Sequence, residues 1–206
     1  MAFQNNKKRS IHSLHQAYLE NNETRKILEI SSKSEVELGV KLSAFNLMIT
    51  TKSNKTFSVE SAFQSSKVFE HGGPYKDLLL VSSRQAKKDD RLKNSGKLIA
   101  FQIDGKTFSI EPKTYFYNWL YINTLHLHND LSENVLCYDA FTDIEFNPQK
   151  SINCQAEAVA IYVSLHRQGL LNEALKGKDE FLEIVYPTFK QTADNANQQI
   201  SIFDLL

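Results

Sequence analysis

Apolar residues along the chain recur first at helical and then at alternating spacing. Ile11, Leu14 and Tyr18 fall at a helical interval behind Ser10, a good N-cap, and predict a short amphipathic helix over Ile11–Leu19. From Lys26 to Thr51 the pattern turns β-like. Ile27–Ile30 and Leu47–Thr50 read as strands, and Ser53-Asn54-Lys55 reads as a turn. Ser58 then caps a predicted helix over Ser58–Glu70, with Val59, Ala62, Phe63, Ser66 and Phe69 on one arc. A polar helix is predicted over Ser83–Lys93. Asp104-Gly105 suits a type I′ hairpin between Lys97–Ile103 and Lys106–Ile110. After Pro112, the residues Tyr115, Phe116, Trp119, Leu120, Ile122 and Leu127 predict the central helix of the core. Asp130 and Glu133 form a capping-box pattern opening a helix through Leu136, and Asp139–Ser151 reads as a loop. Ala156, Val159, Ala160 and Val163 predict a buried helix that stops near Gly169, and Phe181–Val185 predicts one more before Pro187. The residues after Lys190 read as a polar tail with one apolar stretch, Ile200–Phe203. The pattern is α+β, mostly helical, with a small β-sheet and no internal repeat.

Composition narrows this picture. A chain of 206 residues, 41% of them hydrophobic, can bury one core, so a single compact domain is expected. Lys plus Arg equals Asp plus Glu at 24 each, so no global field draws the chain to a polyanion, and any nucleic-acid contact must be local. Apolar runs such as Asp77-Leu78-Leu79-Leu80-Val81 fall far short of the roughly 20 residues a membrane helix needs. The first residues lack the order of a signal peptide, and the two cysteines, Cys137 and Cys154, lack disulfide or zinc spacing. A cytoplasmic protein without a membrane partner is expected. His126 and His128, two apart on a helix, diverge by about 200° and cannot share an ion. Gly72-Gly73-Pro74 is no phosphate loop. Neither a metal nor a cofactor is implied.

Two features can carry chemistry. At about 100° per residue, Glu60, Gln64 and Lys67 fall at about 0°, 40° and 340°, a narrow polar stripe beside Phe63. Without further information this stripe reads first as an ordinary ion pair on an exposed helix. Arg84, Lys87, Lys88 and Arg91 form a cationic stretch that either faces an anionic ligand or is simply solvated.

Three ordered blocks decide between these readings: Leu42-Ser43-Ala44-Phe45, Thr56–Lys67 and Ser83-Arg84-Gln85-Ala86-Lys87. With a fourth, Asp139-Ala140-Phe141-Thr142-Asp143 followed by Ser151–Ala156, they make the chain resemble the NADAR superfamily, which includes the YbiA-type N-glycosidases. The resemblance runs from Lys41 to Leu165. It departs from the YbiA-like form at Phe141, where Trp is usual, and in the loop Glu145–Lys150. The N-terminal segment and the Glu70–Tyr75 stretch resemble the branch that accompanies DarT toxins as antitoxin, which removes ADP-ribose from guanine. The resemblance implies an N-terminal helix and strand over 1–40, a catalytic region over 41–186 and a tail over 187–206.

It also assigns roles. Cleaving an N-glycosidic bond builds positive charge on the sugar, so a carboxylate at the anomeric carbon stabilises it and can activate water, and Glu60 is the candidate. Lys67 orients Glu60, binds phosphate, or forms an imine with the opened ribose. Asp139 and Asp143 share acid–base work or grip ribose hydroxyls; their alternative is turn formation and helix capping. Arg84 and Lys87 are the expected pyrophosphate partners. Ser43, Phe45, Phe63, Gln64, Phe141, Asn153 and Gln155 complete the expected ligand contacts, although by residue type alone the three phenylalanines read first as core, and Asn153 and Gln155 can instead cap the following helix. The implied partners are ADP-ribosylated guanine in DNA or RNA and a cognate DarT-type toxin. Two rivals stand beside this reading: a YbiA-like glycosidase of a riboflavin-pathway intermediate, which neutral net charge suits, and an antitoxin that binds its toxin without catalysis.

Overall fold

The computed structural model describes residues 2–147, 149 and 153–189. Helices and short strands alternate as α1 (Ala2–Leu19), β1 (Ile27–Glu29), α2 (Glu37–Lys41), β2 (Met48–Thr50), β3 (Thr56–Ser58), α3 (Val59–Ser65) and β4 (Lys67–Phe69). A 3-10 turn, Lys76–Leu80, leads to α4 (Ser83–Lys88), α5 (Arg91–Asn94), β5 (Leu98–Ile103), β6 (Lys106–Phe108), α6 (Tyr115–His126), α7 (Asn129–Val135) and β7 (Ala140–Thr142). Then follow α8 (Gln155–Arg167), α9 (Leu171–Ala174) and α10 (Lys178–Val185). The chain divides into two units, Met1–Val163 and Ser164–Leu206. The α+β class read from the sequence holds. The expected tail after Lys190, with Ile200–Phe203, lies outside the described residues, as do Pro148 and Lys150–Ile152 of the late loop.

In the first unit α6 is buried on nearly every side, which is why its sequence is apolar and aromatic almost without a polar face. Phe116 stacks on Phe101 of β5 at 4.6 Å and touches Phe108 of β6 at 4.9 Å and Phe63 of α3 at 6.1 Å. Trp119 and Tyr115 flank Phe108 at 4.7 and 5.5 Å. This aromatic cluster joins the β4–β5–β6 sheet to α3 and α6. The hairpin at Asp104-Gly105 is as expected, with positive φ at both residues, 47° and 72°. A second antiparallel pair joins β2 to β3, and a parallel pair joins β1 to β7, aligning Leu28 with Phe141.

Several elements differ from the sequence expectation: Glu37–Lys41 in the β-like stretch is helix α2, Ala140–Thr142 in the expected loop is strand β7, and α7 starts after His128 without the Asp130–Glu133 capping box. The helix expected over Ser58–Glu70 ends at Ser65, because the hydroxyls of Ser65 and Ser66 both donate back to the Ala62 carbonyl, at 2.9 and 2.7 Å, and Gln102 N–H takes the Ser66 carbonyl at 2.7 Å. Lys67–Phe69 becomes a strand, adding β4 to the expected hairpin. The helix expected over Ser83–Lys93 breaks at Asp89, whose carboxylate accepts from Arg91 N–H at 2.9 Å. The first helix begins at Ala2 rather than Ile11, and its added turns make polar contacts, Lys7 with Glu145 and Lys8 with Glu35, that apolar periodicity does not report.

In the second unit, Gly169, at φ 71°, ends α8, and α9 and α10 follow with Leu171, Ala174 and Phe181 buried.

Phe116 is 1% exposed at the centre of the aromatic cluster, so Phe116→Ala should lower stability by about 3–5 kcal/mol. Urea unfolding checks this, and a change below about 1 kcal/mol would show that the cluster does not anchor the core.

Candidate active site

Ser58 opens α3 as its N-cap, accepting from Ser61 N–H at 3.0 Å. Every residue of the helix is buried, Glu60 included, at 5% exposure. The backbone fixes this helix from outside: Val59 N–H donates to the Leu47 carbonyl and Glu60 N–H to the Ala44 carbonyl, each at 2.9 Å. A second tether joins Ser58 Oγ to Ser83 Oγ at 2.7 Å, and Ser83 Oγ donates to the Phe45 carbonyl at 3.2 Å. The first, second and third sequence blocks therefore meet around one helical turn.

Glu60 Oε1 accepts from Gln64 Nε2 at 3.0 Å and lies 3.7 Å from Lys87 Nζ. Glu60 Oε2 takes no hydrogen bond among the described residues. Gln64 is held by its amide nitrogen, leaving Oε1 buried and without a hydrogen-bond partner. Lys67 does not share the helical stripe, since β4 redirects it. Its ammonium sits 4.9 Å over the Phe63 ring and has no carboxylate within 4 Å among the described residues. Burial pushes the Lys67 amine down to about 8, with Lys87 adding to the fall and Glu60 opposing it. Lys87 lies 5.3 Å over the Phe45 ring. Glu60, Phe63, Gln64, Lys67, Lys87 and Phe45 thus form one constellation.

The remaining expected residues lie apart from these contacts. Asp143 accepts from Glu145 and Phe146 N–H at 3.0 and 3.1 Å and from Gln155 N–H and Nε2 at 3.3 and 3.1 Å, which is a turn and a helix cap. Burial nonetheless raises its carboxyl above the usual range. Asp139 is tied to the start of β1, accepting from Lys26 N–H at 3.0 Å and Arg25 Nη1 at 3.4 Å. Gln155 Oε1 accepts from Ala44 N–H at 2.6 Å, and its Nε2 donates to the Ile30 carbonyl as well as Asp143. Ser43 is buried in a turn whose carbonyl accepts from Asn46 and Leu47 N–H at 2.8 Å. Phe141 is half-buried in β7 opposite Leu28, and Asn153 is half-buried just before α8. Arg84 is exposed, with no ion pair among the described residues. Arg91 is drawn away from any ligand by Asp77 and Asp89, at 2.6 and 2.8 Å.

Two residues here escaped the sequence reading. Tyr117 on α6 stands edge-on to Phe63 at 5.2 Å, and burial, with Glu60 next and Asp143 also contributing, holds its hydroxyl protonated. Its signal was a hydroxyl-bearing aromatic one turn before Tyr121, which donates to the Leu42 carbonyl. Glu29, 2% exposed, accepts from Thr142 Oγ1 at 2.6 Å and Ile144 N–H at 2.8 Å, fixing the start of the late loop. A lone acid within Ile27-Leu28-Glu29-Ile30 was the available hint.

An α+β protein with a buried carboxylate, an amine of lowered basicity and an aromatic wall is the class this geometry defines. The sequence profile described as the DarT1-associated NADAR antitoxin matches residues 1–195, and the chain belongs to that family, as its sequence blocks implied. Comparison with curated proteins gave no match. No described helix is long and apolar enough to cross a membrane.

Glu60 favours the charged form of Lys67 and Lys87 disfavours it, so Glu60→Gln should bring the Lys67 amine below about 8 and Lys87→Ala should raise it. The pH dependence of Lys67 acylation, followed by peptide mapping, checks both directions; an unchanged midpoint in Glu60→Gln would mean the two groups do not sense each other.

Proposed function

We propose that the chain is an N-glycosidase that hydrolyses ADP-ribose from ADP-ribosylated guanine in nucleic acid, acting as antitoxin to a DarT1-type ADP-ribosyltransferase. The observation that carries this reading is the Glu60 carboxylate, buried and with one oxygen unengaged, beside a Lys67 amine near neutrality. Family membership supports it. In the reaction the bond between the anomeric carbon and the guanine nitrogen breaks, water supplies hydroxyl to the carbon, and a proton goes to the departing nitrogen. Glu60 stabilises positive charge on the sugar and takes the proton of the attacking water. With its amine lowered by burial to about 8, Lys67 has both its charged and its neutral form within reach near neutral pH. The ammonium form can protonate the departing nitrogen. The neutral form can add to the anomeric carbon as guanine leaves with the proton the amine gives up; opening of the ribose ring then turns the glycosylamine into an imine, which water hydrolyses to ADP-ribose and free Lys67. Arg84 and Lys87 offset the pyrophosphate charge, and Phe63 and Phe45 wall the pocket. Asp139 and Asp143 act through the loop that they fold.

Glu60→Gln keeps size and can still accept from Gln64, so it should leave folding intact and lower turnover at least about a hundredfold. Release of ADP-ribose from a modified guanine oligonucleotide measures this, with ADP-ribosylated thymidine expected to remain uncut. The same variant should fail to rescue cells from a guanine-modifying toxin. Rescue by Glu60→Gln would instead indicate antitoxin action by binding.

Lys67→Ala should also cripple turnover. Borohydride added during turnover separates its roles: an adduct mapped to Lys67 supports the imine, its absence supports proton donation, and full activity of Lys67→Ala would dismiss both.

A further inference from the structure

The three leucines of the 3-10 turn meet different fates. Leu78 is 2% exposed and Leu79 half-buried, whereas Leu80 is 78% exposed and is followed by Val81 at 37%. Single exposed leucines are ordinary on protein surfaces, but this one is held in place at the site. The Val81 carbonyl accepts from Ser61 Oγ at 3.4 Å, one residue from Glu60. Ser82 then starts α4 with a capping box, which fixes the chain immediately after the tip. On the other side Arg91 grips Asp77 with two nitrogens, at 3.2 and 2.6 Å, and stacks on Tyr75 at 4.5 Å. An apolar tip is thus anchored from both ends and raised into solvent.

Charge around the tip is mixed, but its unpaired members are cations. Lys76 and Lys88 are exposed and have no carboxylate within 4 Å among the described residues. Among the described residues Lys76, Arg84 and Lys88 are left without a carboxylate, whereas the acids nearby are matched: Asp77 and Asp89 share Arg91, Asp90 meets Lys93 at 3.8 Å, and Glu60 has Lys87. The whole chain carries zero net charge, so this excess is local. An exposed apolar tip between cations complements a strand whose phosphates lie outside and whose base faces lie inside. A further requirement points the same way: Glu60 is buried, so a base in a stacked strand must turn out of the stack to reach it, and something must occupy the place it leaves.

We propose that the Leu80–Val81 tip is the strand-contact surface of the protein, with Lys76 and Lys88 on the phosphates and Leu80 packed against the bases flanking the modified guanine. This rests on the glycosidase reading above. Leu80 replaces part of the stacking lost when the guanine turns toward Glu60, and Val81 widens the same face. The lysines contact only a few phosphates, so binding should weaken modestly with salt.

The test compares native protein with Leu80→Ala and with Lys76→Glu/Lys88→Glu on three substrates: ADP-ribosylated guanosine as the free nucleoside, in a single strand and in a duplex. Leu80→Ala should cut the nucleoside within about twofold of native and the duplex at least about fivefold more slowly, the scale of losing the apolar area of one leucine side chain at a contact. The lysine variant should raise KM for both strands and flatten its salt dependence while leaving the nucleoside unaffected. Equal losses on nucleoside and duplex would overturn the proposal by making Leu80 a wall of the pocket, and unchanged turnover on all three would overturn it outright. Fluorescence anisotropy with an unmodified single strand gives a readout independent of catalysis. If native protein cuts no substrate but Leu80→Ala still weakens strand binding, the glycosidase reading fails and the surface stands. If Leu80→Ala loses only co-purification with the toxin, the tip belongs to the toxin interface and the proposal fails.

Discussion

The Gln155 side chain holds three segments at once, and the position of Glu60 follows from it. Its oxygen accepts from Ala44 N–H, its nitrogen donates to the Ile30 carbonyl and to Asp143, and the Ala44 carbonyl in turn accepts from Glu60 N–H. Both amide hydrogens and one acceptor site are engaged within a partly buried network. Such a network is favourable only when complete, because each polar group left unpaired there costs about 1–3 kcal/mol. The segment after β1, the first sequence block, the late loop and the start of α8 are therefore set relative to one another by a single amide. Asp143 serves the same network from the other end, which explains why a carboxylate raised by burial remains hydrogen-bonded on both oxygens.

On that scaffold the site combines two charges that are not directly paired. Glu60 is neutralised at a distance by Lys87, whose long side chain is mostly exposed and lies over Phe45. Lys67 rests on the face of Phe63 instead of on a carboxylate. A tight Glu60–Lys67 ion pair would have held the lysine fully charged. Burial, against the opposing pull of Glu60, leaves the amine near its titration point while the carboxylate keeps an oxygen for a ligand. The serine-terminated end of α3 is what makes this possible, since a continuing helix would have placed Lys67 back on the Glu60 stripe.

Local signals in the sequence were legible where one segment decided its own structure. The Asp104-Gly105 hairpin, the Ser58 cap and the apolar helix after Pro112 all followed from short-range chemistry. The Glu60–Phe63–Gln64 group was legible because one helical turn sets its geometry. Lys67 entered the site by a different route from the one helical spacing suggests, since competition from the Ser65 and Ser66 hydroxyls for one carbonyl is a tertiary-scale choice. Tyr117 and Glu29 were hidden because nothing local marks a tyrosine in an aromatic helix or an acid in a short strand. Their surroundings come from segments far along the chain. Gln155 looked like a ligand contact or a cap, and only the fold shows how fully its amide is engaged by the protein itself.

The parallel pairing of β1 with β7 has a temporal consequence. Ile27 aligns with Ala140 and Glu29 with Thr142, so strands of three residues close a loop of more than half the chain. Closing so long a loop costs entropy that two short strands repay poorly on their own. During synthesis, α3 and its capped turn can form early, while Ala44 waits for Gln155 and Glu29 waits for Thr142 and Ile144. The support of the Ala44 carbonyl that accepts from Glu60 N–H is therefore complete only after the ribosome has passed residue 155. A chain ended before residue 155 would carry Glu60 with its near neighbours but without the Gln155 tether that fixes Ala44 against the late loop.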